Sequence, residues 1–489
     1  MKRFIFSFLF ISFSLAQFAQ NNGYSIGVTI DGFANQSVIL GHYFASQTLY
    51  PDDTAQFDDN NHALFEGDKS LGVGLYFIYL PSGQYFELVV GEDQHFTVET
   101  DSSDYVKNMK VFGSADNQIF FDFQQYMLSK QDEMKMLQET LKDSTYSEKQ
   151  KEKIRSKITE LNSEREKKVK EIVADNPGLF ASRFLNATID IEIPEAIKDD
   201  KAEAYKYYKK HYFDNFDLSD VSLLFTPLYE GKMKNYLDNM VIQMPDSLNK
   251  EIDFIIEKAR ADSAIFRYVL ITLFNTYAKS QIMGMDAVQV HIADKYYIDE
   301  AWWSDQKFKD ELKERVEILT PILIGKKAPD EQLRVVPKDH FIKAANDTAL
   351  KKFPHAGYFM NISNVDAEYT VLVFWEANCS HCKKVVPDLY KIYQDTLSKS
   401  NIEVVAINTL FGEDGKEKWV DFVNRHKLYD WINAWNPYEY KYKINYDIRS
   451  TPQIYVLNKE KEIIGKKLGP ENVLELITAY KKTKEKESE

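Results

Sequence analysis

Five apolar residues, VLVFW at 371–375, run unbroken into the loop EANCSHC, and from there strand-like and helix-like segments alternate to the end of the chain. A run of this length, bounded by turn-forming residues, reads as a buried strand. The strand over 368–375 is followed by a helix over 380–398, a strand in IEVVAINT, a helix in GKEKWVDFVNRH, a strand in QIYVLN, a turn, a strand in EIIGKKL and a last helix in PENVLELITAYKK. Such alternation implies an α/β sheet.

The chain upstream obeys other periods. Residues 24–100 hold short β-rich runs (YSIGVTIDGF, SVILGHYF, VGLYFIYL, QYFELVV, HFTVET) separated by turn signals such as Pro81-Ser82-Gly83, the pattern of an antiparallel β domain. At Ser114 a helix N-cap precedes Phe120, Phe123 and Met127 at helical spacing. Ile154, Ile158, Leu161, Val169 and Ile172 then recur at threes, fours or their multiples, which predicts a helical hairpin turning near Asp143 to Ser147. Helical aromatic stripes continue to Thr320, and aromatics at that spacing serve core packing. PILIGKKAPDEQL, at 321–333, reads as a linker. The expected architecture is multidomain α+β: a β-rich antiparallel domain over 20–112, an all-helical domain over 113–322, an α/β domain over 323–485 and a solvated tail over 486–489.

Lys2 and Arg3 precede an apolar run from Phe4 to Ala16, with small residues at Ala16 and Ala19. This reads as a cleaved export signal over 1–19, because the run is shorter than the roughly 20 residues that span a hydrocarbon core. The mature chain is expected to lack a transmembrane segment and to reside in the periplasm or cell envelope. A formal charge of −14 argues against a nucleic-acid partner, which needs clustered Lys and Arg.

The chain has only two cysteines, Cys379 and Cys382. A disulfide closing so small a loop would restrain the unfolded chain very little, so the pair is not a structural staple. Cys379 falls in the loop after the strand and Cys382 in the first turn of the helix. Unpaired N–H groups at a helix start stabilise a thiolate, and only the thiolate attacks a disulfide. Cys379 is therefore the expected nucleophile and Cys382 the resolving thiol. His381 between them is either a tuning cation or a solvent-facing residue, and Pro387 should kink the helix. Thr451-Pro452, just before a strand, is either a cis step exposing backbone to an extended substrate or a trans edge proline.

FWEANCSHC, Pro387, the Thr451-Pro452 step and the order of elements resemble the thioredoxin superfamily, and GKKAPD resembles its exported TlpA/ResA branch. The resemblance covers about 160 residues, 325–485. The β-rich and helical regions resemble the domains of unknown function that accompany such modules in Bacteroidetes envelope proteins. The resemblance implies a thioredoxin-like fold for 323–485 and dithiol-disulfide exchange through a redox-active Cys379-Cys382 disulfide. It places Trp375 as the aromatic beside the site and Pro452 as the cis proline, with Thr451 positioning substrate. It further implies a reductant role toward protein thiols and disulfides, with a membrane thiol carrier as electron donor. Two positions depart from the family: Val373 stands where thioredoxin has a buried Asp, and Val385 where some relatives have Glu. Glu376 is the candidate substitute for proton transfer.

A zinc site would need four ligands, and a lone CxxC supplies two. No metal and no cofactor is expected. Peroxide reduction is disfavoured because Glu376 stands three positions before Cys379. Two rival readings are an envelope ligand- or partner-binding protein whose C-terminal module is a docking unit, and a more oxidising thiol oxidase or isomerase.

Overall fold

The computed structural model describes residues 23–352, 357–436 and 440–488. The export signal expected over 1–19 lies outside the described residues. The chain divides into two compact units, the first comprising the described residues up to Met240 with Lys258–Ile265, the second Val241–Glu257 with the described residues from Phe266 onward.

In the first unit, β1 (Tyr24–Ile30), β2 (Ser37–Phe44), β3 (Ser46–Gln56), β4 (His62–Gly67), β5 (Gly74–Tyr79), β6 (Tyr85–Val90), β7 (His95–Thr100) and β8 (Lys110–Phe112) make two four-stranded sheets, in the orders β4-β1-β7-β8 and β3-β2-β5-β6. The neighbours are antiparallel, as the alternating runs predicted, except that β1 and β7 pair in parallel. Pro51 has no N–H to give a ladder, and it sits on the edge strand β3 where the register with β2 slips beside Gly41.

The other edge of that sheet is closed by a side chain. Ser114 caps the helix Ala115–Lys142 by accepting the Asn117 N–H at 3.2 Å. The fully buried Asn117 in turn accepts the Val89 N–H at 2.8 Å and donates to the Val89 carbonyl at 2.7 Å, completing both backbone groups on β6. The helices Ala115–Lys142 and Glu148–Asp175 form the predicted hairpin, and the Ser147 N–H donates to the Gln150 side chain at 2.9 Å to start the second.

The second unit carries β9 (Gln332–Val335), β10 (Tyr358–Asn361), β11 (Tyr369–Trp375), β12 (Ile402–Asn408), β13 (Ile432–Trp435), β14 (Gln453–Leu457) and β15 (Ile463–Lys466) in one sheet of order β10-β9-β13-β12-β11-β14-β15. β11, β12 and β13 run parallel and the flanking pairs antiparallel. All seven residues of β11 are buried, which explains its unbroken apolar run. The helix Cys382–Asp395 packs on one face, sharing a core with Val473 and Ile477 of the helix Pro470–Ser488. That last helix continues through most of the stretch read as a tail, to Ser488.

The stretch read as a linker is not free chain. The Gly325 N–H donates to the Ile463 carbonyl, the Ile463 N–H to the Lys326 carbonyl and the Ala328 N–H to the Lys461 carbonyl, each at 2.8 Å, and β9 begins at Gln332. Gly325, at φ +85°, makes the turn into this ladder. On β15, Lys466 is only 3% exposed, and its ammonium is held by Asp286 of the helix Asp286–Ile292 and by the Ile322 carbonyl at 2.7 Å.

Candidate active site

β11 ends at Trp375, and the loop 376–381 turns its chain into the helix beginning at Cys382. The Cys379 N–H donates to the Glu376 carbonyl at 3.2 Å, and the Lys383 N–H to the Cys379 carbonyl at 3.2 Å. This winding leaves the Cys379 side chain partly exposed at the helix start, while Cys382, one turn on, is fully buried. Both cysteines are thiols.

The two sulfurs experience different surroundings. The Cys382 N–H donates to the Cys379 Sγ at 3.3 Å, and the Cys379 thiol donates to the Thr451 carbonyl at 3.2 Å. Partial burial opposes ionisation of Cys379, but the backbone N–H and thiol of Cys382, the Thr451 side chain and the His381 backbone together hold it below the ordinary thiol range. Burial pushes Cys382 the other way, to about 12. Cys382 belongs to the same buried core as Trp375, Val373 and Val385, so the two valines noted from sequence bring apolar side chains to that core where relatives bring a carboxyl.

The remaining predicted site residues divide around this pair. The Thr451-Pro452 peptide is cis, and both residues are partly buried. Trp375 is wholly buried in β11 against Phe422, ring centroids 5.1 Å apart. His381 brings its backbone to Cys379, while its imidazole is exposed and lines an adjacent cavity. The Glu376 carboxylate accepts the Thr409 hydroxyl at 3.1 Å and lies 3.8 Å from the Lys443 ammonium.

That cavity, about 660 Å³, opens beside the cysteines and is lined by His381, Val385, Pro452, Arg449, Lys467 and also Arg315. Sequence reasoning did not single out Arg315 or its partner Asp447. The one available signal was the position of Asp447, four residues before Thr451.

The Thioredoxin-like family matches residues 366–463. The chain carries a thioredoxin-like domain. A second family, Domain of unknown function (DUF5106), matches residues 140–320, which lie ahead of the thioredoxin-like domain. The curated relative Sporulation thiol-disulfide oxidoreductase A of Bacillus subtilis (strain 168) is 30% identical over 101 residues, 21% of this chain, and the chain spans 59% of that relative's length. Among solved structures, a domain of possible thiol-disulfide isomerase from Cytophaga hutchinsonii is 33% identical, covering 34% of this chain and 98% of its own, at a TM-score of 0.28. A thioredoxin-like protein from Bacteroides caccae is 19% identical, covering 59% of this chain and 98% of its own, at a TM-score of 0.43. Among the described residues, no helix is long and apolar enough to cross a membrane.

Proposed function

We propose that the protein is a thiol-disulfide oxidoreductase acting on protein substrates in the periplasm or cell envelope. The observation that carries this reading is the 3.3 Å bond from the Cys382 N–H to the Cys379 sulfur, which favours the thiolate at the accessible cysteine while its neighbour stays buried and protonated. Exported placement is supported by the Lys2-Arg3 and apolar pattern over 1–19.

In the reducing direction, the Cys379 thiolate attacks one sulfur of a substrate disulfide. The substrate S–S bond breaks, a mixed disulfide forms and the second substrate sulfur leaves as a thiolate. With valine and not a carboxyl at 373 and 385, that departing thiolate is the base at hand for the Cys382 proton. The Cys382 thiolate then attacks the Cys379 sulfur, breaking the mixed disulfide and releasing the first substrate sulfur as a thiolate. Two electrons have moved to the substrate, and the Cys379-Cys382 disulfide remains for an external dithiol to reduce. A membrane thiol carrier is the donor proposed for that last step.

Turnover of a peptide disulfide such as insulin, with Cys379→Ser as control, tests the activity; thiol-independent background in the unmodified protein would reject it. The reduction potential of the couple tests the direction. A value near about −270 mV, that of thioredoxin, supports a reductant, whereas one near about −120 mV makes the protein an oxidant.

A further inference from the structure

We infer that Arg315, a residue of the helical segment ahead of the thioredoxin-like domain, is a positioning residue for the redox site: by gripping Asp447 it fixes the loop that presents Thr451 to Cys379. Arg315 lies on the helix Gln306–Leu319, inside the stretch matched by the domain of unknown function. Its guanidinium holds Asp447 bidentately, Nη1 to Oδ1 at 2.5 Å and Nη2 to Oδ2 at 2.7 Å. Arg449 adds Nε to Oδ1 at 2.9 Å.

Three observations make this pair more than a surface contact. The Asp447 side chain is 7% exposed, so its carboxylate needs these donors, and planar two-point pairing fixes direction as well as distance. Asp447 stands at φ +49°, a left-handed backbone state uncommon outside glycine and best tolerated by Asp and Asn, which turns the chain sharply at this point. Four residues on, the Thr451 carbonyl accepts the Cys379 thiol at 3.2 Å. The loop between is short and braced: the Arg449 N–H donates to the Asp447 carbonyl at 3.0 Å, and the Tyr446 carbonyl accepts the Tyr455 hydroxyl at 2.6 Å. A displaced Asp447 therefore moves Thr451, and with it both the carbonyl that accepts the Cys379 thiol and the side chain that favours its thiolate, so the ionisation of Cys379 changes.

Arg315 also forms part of the wall of the cavity beside Pro452, so the helical segment helps to build the substrate side of the site. The other ionisable groups on this side of the domain are Glu376 with its partner Lys443, and His381, Lys384, Asp388, Arg449, Lys467 and Glu471 around the cavity. None of them is changed by substituting Arg315.

The test uses the full mature chain and the pH profile of Cys379 alkylation by iodoacetamide, followed by peptide mass spectrometry. Arg315→Gln should shift the alkylation midpoint, changing the rate of Cys379 labelling at neutral pH roughly tenfold for a shift of one unit. Arg315→Lys, which keeps the charge but not the fork, should return the midpoint part of the way. Lys466→Met with Asp286→Leu removes a different link between the helical segment and the sheet without leaving a buried charge unpaired, and should leave the midpoint in place. An unchanged midpoint in a folded Arg315→Gln protein overturns the inference. If that variant does not fold, Asp447→Asn is read in the same way, and an unchanged midpoint there is equally decisive.

The inference rests on Cys379 being the attacking thiol, but alkylation reads its ionisation without any disulfide substrate. A shifted midpoint in a protein that turns over no disulfide would reject the proposed activity and keep the role of Arg315. Normal turnover with an unmoved midpoint would reject only Arg315.

Discussion

Cys379 receives the backbone N–H of Cys382 at 3.3 Å, while the Cys382 side chain points into the apolar core shared by Val373, Trp375 and Val385. One residue thus supplies both halves of the asymmetry: its amide favours charge on its neighbour's sulfur, and its own sulfur is kept from water. The difference follows from where the helix begins. A thiol just before the first turn meets unpaired N–H groups, whereas a thiol within it faces the sheet.

The pair should be separable by trapping. Cys379→Ser should reduce disulfide exchange to background. Cys382→Ser should still attack and then accumulate the mixed disulfide, visible as a substrate adduct by intact-mass measurement and released by dithiothreitol. Adduct formation on Cys379→Ser instead would reverse the two roles.

Cys382 should also make the reduced protein sensitive to alkali. The thiol ionises near 9 in the unfolded chain and near about 12 in the fold. Between those values the native state keeps a proton that the unfolded state has lost, so stability falls as pH rises through this window, by on the order of a few kcal/mol at its end. Urea unfolding at pH 8.5 and 11 should therefore show a smaller alkaline loss for Cys382→Ala than for the unsubstituted protein, since the buried tyrosines contribute equally to both.

Breaking the Lys466–Asp286 pair from one side should be severe. Lys466→Met leaves Asp286 without its cation and should destabilise the second unit by about 3–5 kcal/mol in urea unfolding. Lys466→Met with Asp286→Leu should recover much of that loss, because two apolar groups need no partner. A double variant no better than the single one would contradict the assignment of the loss to an unpaired buried charge.

Asn117 offers a matching test in the first unit. Asn117→Leu keeps an apolar volume but leaves the Val89 N–H and C=O without partners, so thermal or urea unfolding should show a loss of about 3 kcal/mol. Amide hydrogen exchange at Val89 should rise with it.

The parts that sequence made legible are those dominated by local pattern. β11, β12, β14 and β15 and the helices around them were marked by apolar runs and helical spacing, and the hairpin turn by Asp143 to Ser147. Cys379 and Cys382 stood out by rarity and by their place at a strand-to-helix junction, and the structure brings Thr451 and Pro452 beside them. The strands β9, β10 and β13 have four residues each and, unlike the equally short β15, do not follow a longer apolar strand through a tight turn, so they are defined by the neighbours they pair with. The parallel pairing of β1 with β7 leaves no trace in either strand alone. Arg315 and Asp447 are 132 residues apart, and an arginine on a charged helix carries no mark of the carboxylate it will meet.

The ladder joining 325–328 to 461–463 bears on how this protein can be divided. A fragment beginning at β9 would keep every cysteine and every strand of the sheet, yet it would strip the cover from one margin and leave the Lys466 ammonium facing an empty seat where Asp286 and the Ile322 carbonyl had been. Whatever excised the C-terminal portion would have to hydrate a cation that the second unit keeps 3% exposed, so within that unit the cut falls through a packed seam and not through slack chain.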